Sequence, residues 1–363
     1  MRPTWAEIDI NSLKSNFLHV KKLIRNGAGI MSIVKADAYG HGAIAVSKAL
    51  FELCGSQLFG VATVDEALEL RESGIKAPVL VLAGINPNEV KTVVKCGLTP
   101  TVYSLRIASI LNHYASKLGV QVGYHLKIDT GMTRLGVGIQ ELHGFMDEIL
   151  RFKNLKMEGL FSHLANADME LVDYTMKQIR IFKDIHSIVN QAGVFPKYLH
   201  IANSSAIQRF PASHLNLVRP GIMLYGSGID QKVKLRPVMK LKTRVMQLKQ
   251  VPSGIPVSYG GTFITKRPTV IAILPIGYAD GYMRTLSNRA KVSTKGCSAP
   301  VVGKVCMDLT IIDVTDVPGI KEDDEVVLFG DELVTVEDVA RWAGTISYEI
   351  LSITGKRVPR VYV

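Results

Sequence analysis

Ile30-Met31-Ser32-Ile33-Val34-Lys35-Ala36-Asp37-Ala38-Tyr39-Gly40-His41-Gly42 begins with an almost unbroken apolar run and turns abruptly polar at Lys35. A short β-branched run without alternation reads as a strand buried on both faces, as in a parallel sheet covered by helices. The same pattern recurs seven times downstream, at 58–62, 79–82, 99–103, 124–128, 157–161, 198–201 and 217–224. Amphipathic stretches at 64–73, 105–118, 141–152 and 174–192 separate most of these runs and carry the 3.6-residue spacing of surface helices. Eight strands alternating with helices predict an α/β fold beginning with a (β/α)8 TIM barrel.

Beyond residue 235 the rhythm changes. Alternating strands separated by Pro and Gly turns are expected at 238–251, 269–275, 290–292, 301–305, 309–314, 325–329 and 358–363, with one short helix at 336–342. The domain reading is a barrel over 11–235 and a C-terminal, mainly antiparallel β domain over 236–363. Residues 1–10 hold a lone strand, open to joining the β domain, before a helix capped by Asn11 or Ser12.

Composition narrows the function classes. With 363 residues, 47% hydrophobic and 21% charged, the chain carries enough apolar material for a large core, which excludes disordered and collagen-like classes. The longest apolar stretch, 269–279, contains Pro275 and Gly277 and falls short of the ~20 residues that span a bilayer, so no membrane partner is expected. The N-terminus lacks the apolar core of a secretory signal, which points to the cytoplasm. Cys54, Cys96, Cys297 and Cys306 form no C-x-x-C pair and read as reduced thiols without a metal. The net charge of +11 is spread as single residues and pairs rather than as a basic block, so nucleic acid is not the expected partner.

In a (β/α)8 barrel the working groups lie at the C-terminal ends of the strands. Lys35 follows the first strand, Lys127, Asp129 and Arg134 surround the end of the fifth, His163 ends the sixth, Ser204 follows the seventh, and Arg219, Gly221 and Ile222 lie in the eighth. Burial lowers the pKa of a lysine and frees its amine for an aldehyde, although pairing with Asp37 would serve structure alone. The loops after strands seven and eight commonly hold phosphate through backbone N–H groups. Ser204 offers a hydroxyl there, and Gly221 and Ile222 offer backbone donors. A reactive lysine opposite such a cradle is what pyridoxal 5'-phosphate requires. Taken singly, Tyr39 reads equally as a core tyrosine, His163 reads more as a packed histidine than as a catalyst, and Arg134 and Arg219 read as interface or surface arginines.

Six segments together resemble one family: 34–42, Lys127-Ile128-Asp129-Thr130-Gly131-Met132-Thr133-Arg134-Leu135-Gly136, 219–226, Val257-Ser258-Tyr259-Gly260-Gly261-Thr262, Ile276-Gly277-Tyr278-Ala279-Asp280-Gly281 and Cys306-Met307-Asp308. The chain resembles the bacterial alanine racemases, pyridoxal-phosphate enzymes built from a barrel and a β domain. The resemblance implies that Lys35 holds the cofactor and acts as one proton-transfer base, with Tyr259 as the other, on opposite faces of a planar carbanion-like centre. It implies that Arg134 and Met307 bind the substrate carboxylate and that Arg219, supported by His163, faces the pyridine nitrogen. Tyr39, Ser204, Gly221, Ile222 and Tyr348 correspond to phosphate contacts, Tyr278 and Tyr348 narrow the pocket, and Lys127 matches a lysine that carbon dioxide carbamylates in many members. Further implications are a head-to-tail homodimer with shared sites, alanine as substrate, and D-alanine supplied for peptidoglycan. Gly261 and Leu309 depart from the family pattern, which bears on pocket shape. A serine or broad-spectrum racemase, a decarboxylase on the same scaffold and a non-catalytic pyridoxal-phosphate carrier are the competing readings.

Overall fold

Strand ends and helix caps explain where the chain changes direction. Helix Ile10–Leu23 is capped by Asp9, whose carboxylate accepts from the Ser12 N–H at 2.9 Å and the Ser12 hydroxyl at 2.7 Å. The cap therefore lies just ahead of the expected Asn11 or Ser12, because one carboxylate satisfies two donors there. Helix Val64–Glu72 starts with a capping box between Thr63 and Glu66. The computed structural model describes residues 3–170, 172–228 and 234–363; the first two residues of the 1–10 segment lie outside this range.

The first strand is β1 (Trp5–Ile8), and eight parallel strands follow: β2 (Gly29–Ile33), β3 (Leu58–Val61), β4 (Val79–Val81), β5 (Thr99–Val102), β6 (Val122–Lys127), β7 (Leu155–Phe161), β8 (Tyr198–His200) and β9 (Leu217–Val218). Their order is β8-β7-β6-β5-β4-β3-β2-β9. The seam between β8 and β9 is bridged by the Arg219 N–H to the Ala202 carbonyl (3.0 Å) and the Leu199 N–H to Asn216 Oδ1 (2.7 Å). The expected (β/α)8 barrel is thus present. Its last strand is far shorter than 217–224, because Pro220 has no N–H to continue a ladder and the chain enters a tight turn at Ile222–Tyr225.

The second part is antiparallel, as expected. The run read as one strand at 238–251 divides into β10 (Met239–Arg244) and β11 (Gln247–Val251), which enter different sheets. Downstream lie β12 (Pro256–Val257), β13 (Phe263–Ile264), β14 (Thr269–Leu274), β15 (Lys291–Thr294), β16 (Cys297–Pro300), β17 (Thr310–Asp313), β18 (Glu325–Phe329) and β19 (Arg360–Tyr362). The six-stranded sheet runs β16-β15-β18-β10-β1-β19, with β1 antiparallel to β10 and parallel to β19. The N-terminal strand is thereby tied to the C-terminal sheet. Residues 301–305 form only a bridge from Val301 to Ile312 rather than the expected strand. One continuous core joins barrel residues such as Phe17, Met31 and Leu80 to Leu241, Val292 and Phe329. Each such side chain contributes about 1.5–3 kcal/mol by leaving water. Among the described residues no helix is long and apolar enough to cross a membrane.

Candidate active site

Lys35 stands where β2 ends, and the chain beyond it takes an unusual path. Ala36, Asp37, Ala38 and Tyr39 have φ of 52–54° and form a left-handed turn. A left-handed helical residue other than glycine costs roughly 1–2 kcal/mol, so the turn persists only because its surroundings impose it. The Ala36 N–H donates to Glu66 Oε1 (2.7 Å), the Ala43 N–H to Asp37 Oδ1 (2.7 Å), and the Gly42 N–H to the Asp37 carbonyl (3.0 Å). His41 Nδ1 lies 3.0 Å from the carbonyls of both Ala38 and Tyr39, and Arg360 Nε donates to the Gly40 carbonyl at 2.9 Å. Together these contacts hold Lys35 and Tyr39 on the same wall.

That wall borders a cavity of about 680 Å³ at the C-terminal ends of the barrel strands, lined by Lys35, Tyr39, Lys127, Arg134, His163, Ser204, Arg219, Gly221 and Tyr348 among others. Nine residues singled out in the sequence therefore meet in one place. Burial, reinforced by Arg134, holds the Lys35 amine below its ordinary value, partly opposed by Glu66. Burial with Arg219 and Arg134 brings Lys127 down to about 7, and its Nζ lies 4.9 Å from the centre of the Phe161 ring. Both lysines are driven toward the free amine, because partial desolvation and the nearby guanidinium groups penalise further positive charge.

Arg134 is placed by Asp129, whose carboxylate accepts from the backbone N–H groups of Gly131 (2.8 Å), Thr133 (3.1 Å) and Arg134 (3.2 Å). Gly136 closes this loop, because a Cβ there would lie 2.5 Å from the Asp129 nitrogen. Arg219 is buried and donates to His200 Nδ1 (2.9 Å), the Ser162 carbonyl (2.8 Å), His163 Nδ1 (3.1 Å) and the Ile201 carbonyl (3.3 Å). Burial lowers its guanidinium to about 9, which leaves it charged at neutral pH. The histidines around it are held neutral by burial and by that same charge.

A compact anion fits between Tyr39, Ser204 and Gly221. A Cβ on Gly221 would lie 2.4 Å from the Tyr39 hydroxyl, so only glycine leaves this corner open. Ser204 Oγ accepts from the Gly221 N–H at 2.9 Å, and burial pushes the Tyr39 phenol up, keeping it a hydrogen-bond donor. Ile222 adjoins this corner, but its side chain is packed in the core, so only its backbone can serve a ligand. A cavity-lining primary amine held toward its neutral form, hydroxyl donors and the buried guanidinium of Arg219 form a donor set that fits pyridoxal phosphate. The cavity's far wall comes from helix Ser347–Ser352, which brings Tyr348 within 6.0 Å of Tyr39, ring to ring.

Tyr259, Tyr278 and Met307 do not line this cavity. They are exposed on the β domain, at 70%, 42% and 53%. Backbone bonds join two of them: the Tyr278 N–H donates to the Cys306 carbonyl and the Ala279 N–H to the Met307 carbonyl, each at 3.0 Å. Sequence reasoning missed His200, His125, Glu66 and Arg360. His125 and His200 carried a usable signal, being isolated polar residues within otherwise buried barrel strands.

A (β/α)8 barrel whose strand ends gather Lys35, the buried Arg219 and an anion corner, joined to an antiparallel β domain, is the two-part architecture of a known class of amino-acid isomerases. The family model "Alanine racemase, N-terminal domain" matches residues 8–228 and "Alanine racemase, C-terminal domain" matches 238–362. Alanine racemases of Halothermothrix orenii and Carboxydothermus hydrogenoformans are each 44% identical, over 99% and 100% of this chain and 97% and 100% of theirs. Among solved structures, the Clostridium difficile 630 alanine racemase in complex with cycloserine superposes with a TM-score of 0.93 at 38% identity, covering 100% of this chain and 96% of that one. The Bartonella henselae alanine racemase with covalently bound pyridoxal phosphate gives 0.92 at 31% identity, with 100% of both chains covered. The chain belongs to the alanine racemase family, and its activity is the interconversion of the enantiomers of alanine.

Proposed function

We propose that the reaction uses pyridoxal phosphate carried on Lys35 and two bases, Lys35 and the partner's Tyr259, in a head-to-tail homodimer. The observation that carries this reading is the meeting of Lys35, Tyr39, Ser204, Gly221 and Arg219 in one cavity, while Tyr259, Tyr278 and Met307 stand exposed outside it. Pyridoxal phosphate, once bound, supplies the electron sink that acidifies the substrate Cα–H. Tyr39, Ser204 and the backbone at Gly221 and Ile222 hold its phosphate, together with Tyr348. Arg219 donates toward the ring nitrogen and keeps its own proton, because a guanidinium does not readily release one. His163 supports Arg219. Arg134 and the partner's Met307 bind the substrate carboxylate. Lys35 moves a proton on one face of the substrate and the partner's Tyr259 moves one on the other, since inversion requires removal and return from opposite sides.

Lys127 reacts with carbon dioxide on this reading. Its neutral amine attacks the carbon, a C–N bond forms as one C=O π pair moves onto oxygen, and one proton leaves to solvent, which turns a neutral amine into an anion able to orient Arg134. The product D-alanine serves peptidoglycan, and the enzyme works in the cytoplasm. Purified protein with added pyridoxal phosphate is expected to convert L-alanine faster than L-serine in a D-amino-acid assay. Tyr348→Asn should narrow that preference by enlarging the pocket, with Tyr278 at its mouth. No conversion of either substrate by folded, cofactor-loaded protein would overturn the reading.

A further inference from the structure

The segment from Thr354 to Arg360 runs between the two half-sites that one chain contributes. On its barrel side, Arg360 donates from Nε to the Gly40 carbonyl (2.9 Å), from Nη1 to the carbonyls of Gly355 (2.7 Å) and Val358 (2.6 Å), and from Nη2 to that of Thr354 (2.6 Å). Gly40 ends the strained turn that begins at Lys35, and a Cβ on it would come 2.2 Å from the Leu351 carbonyl, so chain from the C-terminal part packs directly onto that turn.

On its other side, Arg357 lies 3.3 Å from the buried Asp280 carboxylate through Nε and 2.6 Å from Asp308 through Nη2. Asp280 Oδ2 accepts from the Gly277 N–H at 3.0 Å, and its carbonyl accepts from the Gly355 N–H at 2.9 Å. Asp280 closes the turn carrying Tyr278, and Asp308 follows Met307 directly. Arg357 therefore ties Tyr278 and Met307 into one edge.

We propose that Arg357 and Arg360 are positioning residues for two different active sites: Arg360 for the site whose Lys35 lies in its own chain, Arg357 for the site to which its chain lends Tyr278 and Met307. This inference rests on the shared-site dimer proposed above. An arginine fork satisfying several backbone carbonyls fixes geometry in a way a lysine does not, and a charge-assisted arginine–carboxylate bond is directional. Neither arginine reaches the reacting atoms. Each sets the place of groups that do.

The test uses a heterodimer purified with two tags, one chain carrying Lys35→Ala and the other Tyr259→Phe. One of its sites lacks both bases and the other is intact, its Lys35 drawn from the Tyr259→Phe chain and its Tyr259 from the Lys35→Ala chain. Arg360→Ala should reduce racemisation roughly tenfold when placed on the Tyr259→Phe chain, and by less than about twofold on the Lys35→Ala chain. Arg357→Ala should show the opposite placement dependence. Arg→Lys at either position should keep the pattern with a smaller loss. Independently of turnover, Arg360→Ala homodimers should bind pyridoxal phosphate roughly tenfold more weakly in an absorbance titration of the apoprotein. Arg357→Ala should leave that affinity unchanged and raise KM for alanine more than it lowers kcat. Equal losses for both placements, or weaker cofactor binding in both variants alike, would overturn the proposal while leaving the dimer reading intact. A heterodimer without activity before either arginine is changed would overturn the shared-site reading, and the proposal with it.

Discussion

Arg219 Nη1 donates to His200 Nδ1 at 2.9 Å, and because a guanidinium can only donate, this bond sets the protonation of two histidines. With Nδ1 accepting, neutral His200 carries its proton on Nε2 and gives it to His125 Nδ1, 2.8 Å away. His125 in turn is protonated at Nε2. The line Arg219–His200–His125 runs through the barrel interior, with the His200 ring stacked on Phe161 at 4.7 Å. It fixes the guanidinium that faces the cavity.

This arrangement makes stability depend on pH in a definite direction. His125 is lowered to about 3 and His41 to about 4, mainly by burial, while His163 and His200 lie well below the ordinary 6.5. Above pH 6.5 neither the folded nor the unfolded chain protonates these groups, and they cost nothing. Below it the unfolded chain takes up protons that the folded one refuses, so each histidine removes up to about 1.4 kcal/mol of stability per pH unit. Melting temperature should be level near pH 7–8 and fall steeply below about 6.5, and His125→Gln should flatten the fall. A melting temperature unchanged down to pH 5 would contradict the neutral assignment.

Gly221→Ala should cost cofactor affinity rather than fold. The added Cβ would stand 2.4 Å from the Tyr39 hydroxyl and force that phenol out of the anion corner. An absorbance titration with pyridoxal phosphate should show binding at least about tenfold weaker, equivalent to 1.4 kcal/mol. The melting temperature of the apoprotein should change little.

Lys127, lowered to about 7, is largely free amine only above neutrality. Activity after removal of dissolved carbon dioxide should fall and return on addition of bicarbonate. The bicarbonate effect should weaken as pH drops below about 7, where the ammonium form cannot react. Lys127→Ala should lose the response altogether. A bicarbonate-insensitive protein that takes up no label from labelled bicarbonate would show that Lys127 is unmodified.

Much of this was legible in the sequence for a physical reason. Buried parallel strands are continuous apolar runs, and the polar residues that end them, Lys35, Lys127, His163 and Arg219, mark the face where loops meet. The left-handed turn at 36–39 was not legible. Ala-Asp-Ala-Tyr carries no local preference for positive φ, and the conformation is imposed by Glu66 and Arg360 from distant parts of the chain together with the neighbouring His41. Helix Ser347–Ser352 was missed because six residues are too few to show a period. The division of 238–251 was missed because β10 and β11 have similar strand-like composition while pairing with different sheets. Tyr259, Tyr278 and Met307 were found only through the family resemblance, since one chain gives them no cavity to line.

Action of Lys35 and Tyr259 on opposite faces of the substrate is tested by primary isotope effects with α-deuterated L-alanine and D-alanine on Tyr259→Phe. The reaction should slow in both directions, with the isotope effect strongly raised for the one enantiomer whose Cα–H faces Tyr259 and little changed for the other. Wild-type rates with unchanged isotope effects for both enantiomers would contradict it.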